Sequence, residues 1–237
     1  MPEREVTELA FFDPGAEYTV VDRRLPHWSQ AGTVAFLTWR TWDSIPESVA
    51  TEFLKERARW LTEHGIRVEA TDWRERLAVL PPNVRYDFAS AFSDRWQSVL
   101  DDCRGSCPLR AGELAGMVAT SLRHFDGTRY RLTAFVVMPN HVHVLVTFPD
   151  EAAMLAQCES WKHYTAVQLN KKLGSTGPFW QTDGFDHLVR SEKQYDALKQ
   201  YIAENPWRAR LHAGEYVWYS VDEQCRPSGF ESNFTTE

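Results

Sequence analysis

Tyr130-Arg131-Leu132-Thr133-Ala134-Phe135-Val136-Val137-Met138-Pro139-Asn140-His141-Val142-His143-Val144-Leu145-Val146-Thr147-Phe148 is the stretch that decides the fold class. Two runs of β-branched and aromatic residues flank the dipeptide Pro139-Asn140, which reads as two antiparallel strands joined by a tight turn. A hairpin at the centre of the chain points to an α+β protein with a largely antiparallel sheet, and away from a doubly wound parallel one. The second run carries two histidines two positions apart. Side chains alternate across a strand, so both imidazoles leave the same face. The apolar residues on either side make this an interior strand, where a polar ring needs partners.

Working outward, Gly32 to Arg40 is a strand of β-branched and aromatic residues, and Glu47 to His64 has helical apolar spacing closed by Gly65. Trp73 to Asn83 is ambiguous and broken by Pro81-Pro82-Asn83. Val84 to Asp102 and Gly112 to Phe125 repeat the helical pattern. Ala152 to Leu173 is a long amphipathic helix ended by Gly174, and Phe185 to Val189 is a short strand. Ser191 opens a helix with Glu192 in its first turn. That helix runs through Tyr201 and is expected to stop at Asn205-Pro206, because the residue before a proline is driven out of the helical region. Residues 1–31 read as an irregular N-terminal arm and residues 213–237 as an acidic C-terminal tail.

The chain has 237 residues, 43% of them hydrophobic and 25% charged, which suits one large or two small globular domains. No apolar run approaches the roughly 20 residues a bilayer-spanning helix needs. The N-terminus, with Glu3, Arg4, Glu5 and Glu8, lacks a signal-peptide pattern, so a cytoplasmic protein with no membrane partner is expected. Cys103, Cys107, Cys158 and Cys225 offer no second close pair to complete a tetrahedral zinc site, and are read as free thiols. A net charge of −7 argues against a broad nucleic-acid surface. Its distribution is uneven, however. Ser160 to His212 holds eight Lys and Arg against five Asp and Glu, a net of +3, whereas Tyr219 to Glu237 holds one against four, a net of −3.

Spacing leaves the chemistry open. His141 and His143 are either packed strand residues or a two-nitrogen clamp that needs further donors to hold a divalent ion. Asn205 supplies such an oxygen, or merely ends a helix. Tyr201 lies four residues before it, on the same helix face. Tyr164 and Gln168 are also four apart on a helix, and form a rival pair. Tyr195 has no matching carboxamide and reads as packing.

Val136 to Val146 resembles the His-hydrophobic-His signature of the HUH endonucleases. Phe179-Trp180-Gln181-Thr182-Asp183-Gly184-Phe185-Asp186-His187-Leu188-Val189-Arg190, running on to Tyr201-Ile202-Ala203-Glu204-Asn205-Pro206, is similar to the single-tyrosine transposases of insertion sequences, and within those to the REP-associated tyrosine transposases. The resemblance spans about Gly32 to Leu211. It implies a ferredoxin-like sandwich with helices on one face of the sheet, a single catalytic domain over residues 32–212, and a helical insertion at about 67–106 that is long for the family.

By the same resemblance, His141, His143 and Asn205 hold Mg²⁺ or Mn²⁺ and Tyr201 is the nucleophile. The implied reaction is cleavage and rejoining of single-stranded DNA near hairpins through a 5′-phosphotyrosine, by a monomer or homodimer that is nucleoid-associated when bound. Lys162, Arg190, Lys199 and Arg208 are candidate phosphate contacts, Trp180 a candidate base-stacking platform, and His187 a candidate to orient a ligand or the DNA. Two other readings compete: a non-catalytic DNA-hairpin binder, and a His-x-His metal hydrolase of a small substrate.

Overall fold

The computed structural model describes residues 9–13, 15–22, 26–68, 72–88, 91–92, 95–182 and 185–222. These divide into two compact units, one made of residues 1–42 with 107–237 and the other of residues 43–106.

The first unit is built on the hairpin. Strands β1 (Thr19–Asp22) and β2 (Pro26–Ser29) form a two-stranded antiparallel ribbon inside the segment expected to be irregular. Its four-residue strands are too short for a period-2 signal to stand out of a Pro-rich sequence. Then come β3 (Val34–Arg40), helix α5 (Gly112–Arg123), β4 (Arg131–Val137), β5 (His141–Thr147), α6 (Glu151–Leu173), β6 (Phe185–Leu188), α7 (Glu192–Arg208) and β7 (Val217–Ser220). The main sheet has the order β6-β3-β5-β4-β7, and every neighbouring pair is antiparallel. The α+β architecture expected from the hairpin is thus the one the chain adopts.

Pro139-Asn140 makes the turn, with the Met138 N–H donating to the His141 carbonyl at 2.8 Å. A register shift between Leu132 and Ala134 bulges β4. Strand β7 falls within the stretch expected to be tail, yet it pairs with β4 from Ala134 to Val137. Its Val-Trp-Tyr-Ser sequence has β propensity but only four residues, and the sheet edge rather than local pattern recruits it.

One face of the sheet is a continuous apolar core. Ala35, Leu37 and Trp39 of β3 and Val142, Val144 and Val146 of β5 meet Leu114, Val118 and Leu122 of α5 and Met154, Trp161 and Leu169 of α6. Helix α5 presents these residues at i, i+4 and i+8, one stripe of a helix. In α6, Asp150 caps the N-terminus by accepting from the Ala153 N–H at 2.8 Å. Gly174 ends it at φ 63, the left-handed conformation that glycine adopts without a Cβ penalty. Helix α7 crosses the opposite sheet face, which alternation assigns to Phe36, Thr38, His141 and His143.

Helix α7 does not stop at Asn205-Pro206; it continues through Pro206 to Arg208. A proline removes one N–H and crowds the preceding turn, but here little more than half a turn follows. The end is tied instead by the Ala209 and Leu211 N–H groups, which donate to the carbonyls of Asn205 and Pro206 at 3.0 and 2.9 Å.

The second unit holds α1 (Glu47–Glu63), α2 (Trp73–Ala78), α3 (Pro82–Phe88) and α4 (Arg95–Asp101). The helix expected over Val84 to Asp102 is divided into α3 and α4. Phe53, Leu61, Ile66, Phe88 and Phe92 form this unit's own apolar cluster.

Candidate metal and nucleophile site

Thr38 and His143 face each other across the β3–β5 ladder, and Arg40 faces His141. Both histidines and Asn140 are fully buried. The His143 ring stacks on Phe36 with centroids 5.3 Å apart and planes 16° apart. Its Nδ1 lies 2.7 Å from the Thr38 hydroxyl. His141 Nδ1 lies 2.7 Å from Asn140 Oδ1. The two imidazoles are neighbours, with centroids 4.7 Å apart.

Helix α7 supplies the other half. Ser191 caps it by accepting from the Gln194 N–H. Tyr195, Ile202, Ala203 and Asn205 are buried beneath it. The Tyr201 hydroxyl lies 3.3 Å from His143 Nε2, and its ring meets Phe36 and His143 edge-on. Residues 58 positions apart are therefore in hydrogen-bonding contact. Asn205, one helical turn on, is fully buried on the sheet-facing side. The Arg208 guanidinium sits 5.6 Å from the Tyr201 ring centroid and bonds Glu204 at 3.0 Å.

Burial decides the protonation of the histidines, because a charged imidazole loses its hydration there. It pushes His141 from its ordinary 6.5 down to about 3. It pushes His143 well below the ordinary value, with His141 adding to the effect. Both rings are neutral near pH 7 and keep a lone pair. Two neutral imidazole nitrogens suit a divalent ion when oxygen donors complete the shell, and the buried carboxamide of Asn205 on α7 is of that donor type, so the residue types fit the metal that the motif implies.

The rival pair is placed elsewhere. Tyr164 lies on α6, which packs on the other face of the sheet, and its side chain is 54% exposed. Trp180 does not offer a stacking platform: it is buried against Trp39, and its indole N–H donates to Thr165 Oγ1 at 2.9 Å. Lys199 is not set out toward phosphate either. Only 11% of its side chain is exposed, and its ammonium pairs with Asp222 at 2.5 Å. The Lys162 ammonium donates to the Thr182 carbonyl and anchors that loop. Arg190 is exposed beside Phe12. His187 stands opposite Phe36 in the β6 register, and its side chain lies outside the described residues. Exposed indoles occur at Trp42 (53%) and Trp207 (72%) instead. Sequence reasoning missed these, as it missed Thr38 and Asn140. For Asn140 and Trp207 the available signal was adjacency to the motif residues, whereas Thr38 and Trp42 lie far from them in the chain and carried none.

The family model for IS200-like transposases matches residues 118–205, from the middle of α5 to Asn205, and so takes in His141, His143, Tyr201 and Asn205. An uncharacterized protein of Haemophilus influenzae is 26% identical over 97 aligned positions, covering 32% of this chain and 54% of the relative. The chain thus spans about half the length of that relative. A solved structure of a REP-associated tyrosine transposase bound to a REP hairpin aligns with a TM-score of 0.39 at 14% identity, covering 77% of this chain and 71% of the other. Among the described residues, no helix is long and apolar enough to cross a membrane.

Proposed function

We propose that the chain is a metal-dependent single-stranded DNA endonuclease and strand transferase that acts near hairpins through Tyr201. The observation that carries this reading is the contact between the Tyr201 hydroxyl and His143 Nε2, 3.3 Å, made beside the second buried histidine within the IS200-like segment. Asn205, on the sheet-facing side of the same helix, would complete a ligand set for Mg²⁺ or Mn²⁺ with His141 and His143. When bound there, such an ion would polarise the scissile phosphate and stabilise charge on the departing 3′ oxygen.

The chain's own residues do the rest. Tyr201 gives up its hydroxyl proton to solvent, which returns one to the departing 3′ oxygen, and the tyrosine oxygen attacks phosphorus in line. The P–O3′ bond breaks, and the 3′ oxygen leaves as a hydroxyl on one strand end. The other end stays attached to Tyr201 as a 5′-phosphotyrosine. Attack by a 3′-hydroxyl on that ester restores the tyrosine and joins two strands, with no input of ATP. Arg208, whose guanidinium lies 5.6 Å from the Tyr201 ring centroid, is a candidate contact for the incoming phosphate. Preference for hairpins follows from the likeness of the Phe179–Pro206 stretch to REP-associated tyrosine transposases. Arg190 and the exposed Trp42 and Trp207 are the groups best presented to a strand, by charge and by stacking.

The test uses labelled hairpin oligonucleotides with single-stranded flanks, incubated with the full chain and Mn²⁺ and resolved on denaturing gels. A protein-linked band is expected from the wild type and from Tyr164→Phe. Tyr201→Phe should lose the band while oligonucleotide affinity stays within about threefold. Loss of the band only in Tyr164→Phe would sink the assignment of Tyr201, and binding without any linked band would favour a non-catalytic hairpin binder.

A further inference from the structure

We infer that Thr38 and Asn140 are positioning residues that fix the tautomer and ring orientation of His143 and His141, so that both Nε2 atoms point their lone pairs at one ion. This rests on the metal reading above. Asn140 Oδ1 is 2.7 Å from His141 Nδ1, and an amide oxygen only accepts. The hydrogen of neutral His141 is therefore on Nδ1, and the lone pair is on Nε2. The same tautomer in His143 lets Nδ1–H donate to Thr38 Oγ1 at 2.7 Å and leaves the lone pair on Nε2, which the Tyr201 hydroxyl reaches at 3.3 Å and which an ion would take in its stead. One histidine answers to a turn residue and the other to a neighbouring strand, yet both are held by the same ring nitrogen.

Both positioning groups are themselves fixed. Thr38 stands directly opposite His143 in the β3–β5 ladder, and is 4% exposed. Asn140 closes the β4–β5 turn, where its carbonyl accepts the Thr41 N–H at 2.8 Å. Phe36 stacks on the His143 ring and restricts its rotation. A neutral imidazole without such partners exchanges between two tautomers, only one of which offers Nε2 to an ion. Removing an outer partner of a metal-bound histidine commonly weakens metal binding about 10- to 100-fold.

The experiment measures Mn²⁺ affinity of the full chain by calorimetry, without DNA or cleavage. Thr38→Val keeps shape and loses the hydroxyl; Asn140→Ala loses the acceptor. Each is expected to raise the Mn²⁺ dissociation constant about 10- to 100-fold, with Thr38→Ser and Asn140→Asp staying within about threefold of wild type. Wild-type affinity in Thr38→Val and Asn140→Ala would overturn the inference while leaving the metal site standing. No Mn²⁺ binding by the wild type, or binding unaltered in His141→Ala and His143→Ala, would overturn the metal reading and this inference with it.

A second measurement reads the metal-free wild type directly. Long-range ¹H–¹⁵N spectra of the metal-free wild type should show hydrogen on Nδ1 of both buried histidines, and Thr38→Val should move His143 alone toward a tautomer mixture. Hydrogen on Nε2 of either ring in the wild type would refute the assignment.

Discussion

At the scale of single residues, the buried histidines set a pH dependence. The folded chain holds His141 near 3 while the unfolded chain titrates it near 6.5, so between those values the unfolded state binds more protons. The contribution to stability is therefore full above pH 6.5 and is lost as pH falls toward 3. His143 is shifted in the same direction. In chelator, the urea midpoint of the metal-free chain is expected to stay level from pH 7.5 to about 6.5 and to fall from there to pH 5, and a flat midpoint below pH 6.5 would contradict the burial argument. Trp180 gives a second prediction. Its N–H loses its acceptor in Thr165→Val, which should cost about 1–3 kcal/mol by chemical denaturation and leave oligonucleotide affinity unchanged. Trp207→Ala should do the reverse, weakening single-strand affinity by roughly 1–3 kcal/mol at unchanged stability, because an exposed indole stacks on bases and packs little.

At the scale of elements, the site is a strand and a helix brought together. Helix α7 carries Tyr201 and Asn205 one turn apart, so its rotation and seating matter to both. Ser191→Ala removes the cap and should cost about 0.5–2 kcal/mol, and it is expected to slow formation of the linked DNA product more than it lowers DNA affinity. The periodicity of this helix and its cap residue were legible from sequence. Its true end was not, because proline's penalty depends on how many turns follow it. The hairpin was legible to its turn residues, since two long apolar runs around Pro139-Asn140 leave little choice of pairing. The four-residue strands β1, β2 and β7 were not, because the sheet edge or a facing strand supplies what so short a sequence lacks.

At the scale of the whole molecule, a bound ion should act as a folding ligand. Saturating Mn²⁺ at about 100 times its dissociation constant is expected to add about 2.7 kcal/mol to stability, read as a rise in thermal midpoint that His143→Ala abolishes. The net charge of −7 argues for few phosphate contacts, hence a shallow dependence of oligonucleotide affinity on salt concentration. The sequence by itself determined the antiparallel sheet, the common face of His141 and His143, and the helix carrying Tyr201 with Asn205. These follow from local periods of 2 and 3.6 residues, which need no knowledge of distant neighbours. Only the tertiary structure decided that Tyr201 rather than Tyr164 reaches the histidines, that Trp180 and Lys199 are turned inward, and that Thr38 and Asn140 lie within hydrogen-bonding distance of the imidazoles. Those facts depend on which face of the sheet each helix covers. That choice is made by packing between segments far apart in the chain, which no local pattern encodes.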